Sequence, residues 1–135
     1  MTTFAFDANI VSAILKGNTD LQNRLQQELF DGNCVVIPPV VLYEIRRWLL
    51  FNKSGKRTAS FEKLCNGLMI DDMRINSFEI AAAEHARLKS DDYTLDDADL
   101  FIAGFCIDNS FVLVTNNTKH FNLFNGLRAE DWTQA

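Results

Sequence analysis

Three carboxylates fall where a carboxylate needs explaining. Asp7 closes the apolar run Thr3–Phe6, Glu44 interrupts the apolar rhythm of residues 40–51, and Asp99 opens a segment that continues Leu100-Phe101-Ile102-Ala103. Other polar groups gather at the ends of apolar runs: Asn9 lies just past Asp7, and Thr115-Asn116-Asn117 follows Phe111-Val112-Leu113-Val114. Each acid has a plain reading on its own. An Asp at a strand end caps the next helix, a helical Glu faces water, and an acid in a first turn complements the helix dipole. Together they suggest more, because carboxylates that converge repel one another unless a cation sits among them. A hard divalent ion such as Mg²⁺ or Mn²⁺ suits an all-oxygen donor set. It retains water that can act as a nucleophile, and it offsets charge on a phosphate, which is the chemistry of phosphodiester hydrolysis.

Strands and helices must deliver these acids to one place. Thr3–Phe6 reads as a buried strand ending in polar residues. Residues 10–15 and Thr19–Phe30 have helical spacing, stopped by Gly17-Asn18 and Asp31-Gly32. Cys34–Ile37, continuous and rich in β-branched residues, predicts a strand buried on both faces. Pro38-Pro39 ends it and opens a helix over 40–51. The polar stretch 52–58 reads as a mobile loop, 59–68 as a helix and 69–75 as a short strand. An amphipathic helix follows over 77–89, with Ser77 as its N-cap, and another over 97–108. Residues 111–114 predict a second buried strand, and 127–132 contain a last short strand at the sheet edge. Strands alternating with helices over 135 residues predict a single α/β domain. The expected architecture is three-layered, α/β/α, around a central, mainly parallel sheet of four to five strands. In such sheets ligands bind beyond the carboxyl ends of the strands, where Asp7, Asn9, Thr115 and Asn117 fall.

Composition narrows the function classes. The chain is 47% hydrophobic with eleven Phe, enough for a core, and disorder is excluded. No apolar stretch has membrane-spanning length, and the first seven residues lack a basic n-region, so a cytoplasmic location is expected. Cys34, Cys65 and Cys106 show no C-x-x-C spacing and read as reduced, buried thiols. A net charge of −5 argues against a general nucleic-acid coat but allows a nucleic-acid enzyme with a local basic patch. Residues 46–63 supply one, with six basic residues and a single acid. Arg46, Arg47, Lys53, Lys56 and Arg57 are the candidate phosphate contacts. Trp48 and Phe51 interleave with them and either stack a base or belong to the core or a dimer interface. His85 and His120 are the only histidines, and nothing in the sequence pairs them for metal-free acid–base cleavage. There is no phosphate-binding Gly loop. Asp7-Ala8-Asn9 lacks the second Asp of a D-x-D phosphatase, and no Lys ends the last strand as a phospho-acceptor domain requires.

Five segments in order resemble the PIN-domain ribonucleases, specifically VapC-type toxins of toxin–antitoxin pairs. They are Phe4-Ala5-Phe6-Asp7-Ala8-Asn9, Val40-Val41-Leu42-Tyr43-Glu44-Ile45, Asp99-Leu100-Phe101-Ile102-Ala103, Val114-Thr115-Asn116-Asn117-Thr118-Lys119-His120-Phe121, and Gly126-Leu127-Arg128-Ala129-Glu130-Asp131-Trp132. The resemblance covers nearly the whole chain. It implies a metal-dependent endoribonuclease in which Asp7, Glu44 and Asp99 hold Mg²⁺ or Mn²⁺. Thr115 and Asn117 would support the metal, its water or the scissile phosphate. Asn117 stands where many relatives have a fourth acid, and it offers a carbonyl oxygen without charge. Asn9 would either support the acids from behind or cap a helix. Asp99 matches the family's D-x-x-I-A pattern, Asp96 is a secondary candidate, and Asp97 reads as a solvated or capping acid. The resemblance also implies a VapB-type antitoxin covering the acidic groove, homodimerisation, and an RNA substrate such as a tRNA anticodon loop. A fold that only binds RNA or protein is the competing reading, favoured by Asn117.

Overall fold

The computed structural model describes residues 1–134. Its elements are β1 (Thr3–Phe6), α1 (Ala8–Leu15), α2 (Thr19–Phe30), β2 (Cys34–Ile37), α3 (Pro39–Asn52), α4 (Gly55–Asn66), β3 (Met69–Ile70), α5 (Ile75–Ser90), α6 (Asp97–Asn109), β4 (Val112–Val114), α7 (Thr118–Phe121) and β5 (Arg128–Glu130). The five strands pair in parallel in the order β3-β2-β1-β4-β5, giving the expected α/β/α fold. Apolar runs such as Val35-Val36-Ile37 and Val112-Leu113-Val114 are buried, because helices cover both faces of the sheet.

The strand order explains where a site can form. From β1 the chain moves outward through β2 to β3, then crosses back to β4 on the other side of β1. Connections therefore diverge at the carboxyl ends of β1 and β4, leaving a crevice between them. Phe6 pairs with Val114 at the end of that ladder, and the Asp7 N–H donates to the Val114 carbonyl at 3.0 Å. Asp7 and Thr115 thus leave the sheet side by side.

Packing fixes the helices that carry the other acids. Phe6, Phe61, Phe105 and Phe121 are fully buried, and Trp132 meets Phe4 and Phe6 edge-on at 5.0 and 5.4 Å. α5 and α6 approach closely at Gly104, where a Cβ would lie 2.3 Å from the Ser77 carbonyl oxygen. Only a residue without a side chain permits that approach, and it sets the position of α6 and hence of Asp99.

Several predicted boundaries shift. The loop expected over 52–58 shrinks to two residues: Lys53 closes α3 in the left-handed region at φ 51°, and the Ser54 hydroxyl caps α4 by accepting from Arg57 N–H. The strand over 69–75 is only Met69–Ile70. Ser77 is not an N-cap. α5 starts at Ile75, and the Ser77 hydroxyl donates to Asp108 Oδ2 at 2.9 Å. Asp108 also receives Arg74 and Asn76, so it ties the start of α5 to the end of α6. The three cysteines are unpaired; Cys106 is buried, while Cys34 and Cys65 are only partly so. No helix among the described residues is long and apolar enough to cross a membrane.

Candidate active site

Asp7 caps a helix and also bonds across the crevice. Its Oδ1 accepts from Ala8 N–H at 2.8 Å, capping α1, and its Oδ2 accepts from the Thr115 hydroxyl at 2.8 Å. Asp7 and Thr115 are both buried. Thr115 in turn accepts Asn117 N–H at 3.1 Å and donates its own N–H to the Glu130 carbonyl at 3.0 Å. One buried hydroxyl therefore couples Asp7 to the turn that starts α7. The Asn117 side chain makes no hydrogen bond among the described residues and is exposed.

Glu44 reaches this place from α3 and Asp99 from the first turn of α6. Both are partly buried. Burial first, then the charges of Asp7, Asp99 and Asp96, push the Glu44 carboxyl above its ordinary range, against a smaller pull from Arg47. Asp99 is also raised, chiefly by burial, with Asp7 and Asp96 adding to it and His120 opposing it. Asp7 and Asp96 thus act on both Glu44 and Asp99, and Asp96 is the N-cap of α6. Asn9 caps nothing. It lies inside α1, and its amide donates to Asn116 Oδ1, joining the turns that follow β1 and β4.

His120 enters the site from α7. Its Nε2 lies 3.1 Å from Asp99 Oδ2, and its ring packs edge-on against Phe121 and Phe124. Sequence periodicity could not show this, because α7 is a single turn. The only available signal was the position of His120 three residues beyond Asn117. The loop after α7 is clamped by α5: Glu84 accepts both Arg87 and Asn125 N–H, and Arg87 donates to the Leu123 carbonyl at 2.8 Å. His85 is placed elsewhere, on α5 beside Asp97 and Phe101.

The basic patch divides. Arg46 is committed to Glu62 at 2.6 Å and lies over the Phe61 ring. Arg47 stacks on Tyr43, with its guanidinium carbon 5.1 Å from the ring centroid. Arg47, Lys53, Lys56 and Arg57 form no ion pair among the described residues.

Among the described residues, no three His, Cys, Asp or Glu side chains are drawn close enough to hold a metal ion as they stand. The donor chemistry nevertheless suits a hard divalent cation. Asp7, Glu44 and Asp99 offer only carboxylate oxygens, and each Asp7 oxygen keeps a free lone pair after its one hydrogen bond. Glu44 is a partly buried carboxylate among acids, with no hydrogen-bond donor and no ion pair among the described residues. Uncompensated negative charge of this kind is what a cation would relieve.

Solved structures share this arrangement of elements. A VapBC2 complex of Rickettsia felis bound to a DNA fragment from its promoter contains a chain of TM-score 0.88 and 22% identity, with 97% of this chain and 99% of that one covered. VapBC-1 of nontypeable Haemophilus influenzae gives 0.86 and 20%, covering 98% and 100%. DNA-bound VapBC of Salmonella typhimurium gives 0.82 and 24%, covering 98% and 99%. No curated protein matches by sequence. The PIN domain family model matches residues 4–125, from β1 through the whole of α7 and including Asp7, Glu44 and Asp99, and the chain therefore belongs to the PIN-domain family.

Proposed function

We propose that the protein is a VapC-type toxin, a Mg²⁺- or Mn²⁺-dependent endoribonuclease. The observation that carries this reading is the convergence of three carboxylates on the β1/β4 crevice, Asp7 from the end of β1, Glu44 from α3 and Asp99 from the first turn of α6, with no hydrogen-bond donor to Glu44 among the described residues. These three carboxylates hold the ion. When bound, it supplies Lewis-acid stabilisation of charge on the phosphate and lowers the pKa of a bound water. Thr115 fixes the rotamer of Asp7, and His120 fixes Asp99. Asn117 presents its carbonyl oxygen or amide to water or phosphate. Arg47, Lys53, Lys56 and Arg57 grip the RNA backbone, while Arg46 acts at most through its pairing with Glu62. Direct attack by water leaves a 3′-hydroxyl and a 5′-phosphate and needs no 2′-hydroxyl from the substrate.

The complexes that share the fold pair a VapC with a VapB. By that likeness the partner is a VapB-type antitoxin. We infer further that it lies over the acidic crevice and that the toxin is a cytoplasmic homodimer that stops translation by cutting RNA, with a tRNA anticodon loop as the leading substrate. The test is cleavage of total tRNA by antitoxin-free protein with and without Mg²⁺ or Mn²⁺, beside Asp7→Ala. Metal-dependent cuts bearing 5′-phosphates and absent from the variant support the reading; 2′,3′-cyclic phosphate ends contradict it. Asn117 and the open spacing of the acids favour one other reading, a PIN fold that binds RNA or protein without turnover. Tight metal-independent RNA binding with no cleavage under any metal would select it.

A further inference from the structure

A groove of about 460 Å³ opens directly beside the acid cluster, with Ala8 and Ser12 of α1 facing Glu44, Arg47, Trp48 and Phe51 of α3. Glu44, Trp48 and Phe51 follow one another at helical spacings of four and three, so they form a single ridge running outward from the reactive end over roughly 10 Å. Trp48 is 44% exposed and Phe51 85% exposed. The folded chain leaves two large aromatic surfaces uncovered along a path that starts at a carboxylate of the site.

The surroundings define the occupant. In a chain of net charge −5, the cations at and just beyond this end of α3 form no ion pair among the described residues: Arg47, Lys53 at the C-cap, and Lys56 and Arg57 in the first turn of α4. The neighbouring Arg46, which is neutralised by Glu62, shows that pairing was possible here and was made only once. Ser12, on the opposite wall, has a side-chain hydroxyl that makes no hydrogen bond among the described residues. Flat aromatic faces, unpaired cations and a free hydroxyl, next to a site suited to cutting phosphodiesters, match a single-stranded polyribonucleotide. Its bases offer faces that a duplex hides, and its phosphates carry the complementary charge.

We propose that this groove is a nucleobase subsite flanking the scissile phosphate. Trp48 and Phe51 stack the base, the Ser12 hydroxyl bonds its edge, and Arg47, Lys53, Lys56 and Arg57 hold the adjoining phosphates. The proposal rests on the ribonuclease reading of the acid cluster and adds to it how the substrate strand is held.

The test measures binding without turnover. Fluorescence anisotropy in EDTA compares a labelled single-stranded hexaribonucleotide of mixed sequence with a hexamer of the same backbone whose riboses carry no bases. Wild type should bind the base-bearing strand about tenfold more tightly. Trp48→Leu should remove most of that ratio, Trp48→Phe should keep it, and Phe51→Leu should reduce it. Lys56→Glu with Arg57→Glu should weaken both strands alike and flatten the salt dependence. Equal binding of the two strands by wild type overturns the proposal, as does an unchanged ratio in Trp48→Leu. Loss of a dimer in Trp48→Leu by sedimentation, with the ratio intact, would overturn it in favour of a second copy of the chain. The two readings fail separately. Base-dependent binding without cleavage under any metal keeps the groove and removes the nuclease; metal-dependent cleavage with no base-dependent binding does the reverse.

Discussion

The imidazole of His120 and the carboxylate of Asp99 face each other at 3.1 Å across the gap between α7 and α6. A carboxylate can only accept, so Nε2 carries the proton and donates it to Oδ2. Asp99 is thereby held in one orientation by a ring that is itself wedged against Phe121 and Phe124. Replacing His120 by Ala should lower the cleavage rate by about 10- to 100-fold, as for other groups that orient a metal-binding side chain. His120→Gln, which can place an amide N–H near the same point, should recover part of that loss. Initial rates, together with Mn²⁺ titration by calorimetry, check it; an Ala variant of wild-type rate and affinity would show the contact to be incidental.

Thr115 tests the other acid. Thr115→Val keeps the shape but strips the donor from Asp7 Oδ2 and the acceptor from Asn117 N–H, both bonds being made by one buried hydroxyl. Leaving the buried Asp7 carboxylate without this donor costs about 1–3 kcal/mol, so urea denaturation should show a loss of stability, and cleavage should fall with it. Thr115→Ser should restore most of both.

Glu44 links stability to the metal. Its carboxyl is raised by burial and by neighbouring acids, so in EDTA at neutral pH its charge works against the fold. Glu44→Gln should melt higher than wild type without metal, while losing cleavage. Added Mn²⁺ should raise the wild-type melting temperature more than that of the variant, since a ligand stabilises the state that binds it. Equal metal shifts in the two proteins would remove Glu44 from the ligand set.

The clamp behind α7 has its own pH signature. The hydrogen bond from Arg87, and then that from Asn125 N–H, hold the Glu84 carboxyl below its ordinary value of 4.5, against the opposing effect of burial. A carboxylate lowered on folding gives stability that is present above about pH 4.5 and lost as pH falls through the depressed value. Urea midpoints from pH 6 down to pH 3 should therefore fall less steeply for Glu84→Gln than for wild type. A parallel pair of curves would contradict this assignment.

Much of this architecture is legible in the residues themselves. Thr3–Phe6, Thr19–Phe30 and Cys34–Ile37 have the predicted limits because stop signals flank them: Asp7, Asp31-Gly32 and Pro38-Pro39. The 52–58 segment misleads because its polar residues resemble a loop, although Ser54 gives them a capped helix start. Ser77 misleads similarly, since an N-cap and a donor to a distant acid look alike in sequence, and only the approach of α6 at Gly104 brings Asp108 within reach. Within the site, Asp7, Glu44 and Asp99 stand out as acids set against apolar patterns. His120 and the pairing of Arg46 with Glu62 depend on tertiary contacts that no local spacing encodes.

Gly104 provides a mechanical check on that packing. Gly104→Ala would drive a methyl into the Ser77 carbonyl, and overpacking of this kind costs about 1–3 kcal/mol or more. Because α6 carries Asp99, calorimetric melting should fall and metal affinity with it, whereas Gly67→Ala, with its nearest contact at 3.7 Å, should leave metal affinity unchanged.

The most direct test of the central claim is end-mapping of tRNA incubated with antitoxin-free wild type and Asp99→Asn, each with EDTA, Mg²⁺ or Mn²⁺. Discrete cuts with 5′-phosphate ends that need the metal and vanish in the variant are expected. Cuts that persist in EDTA, or that survive the loss of the Asp99 charge, would contradict the claim.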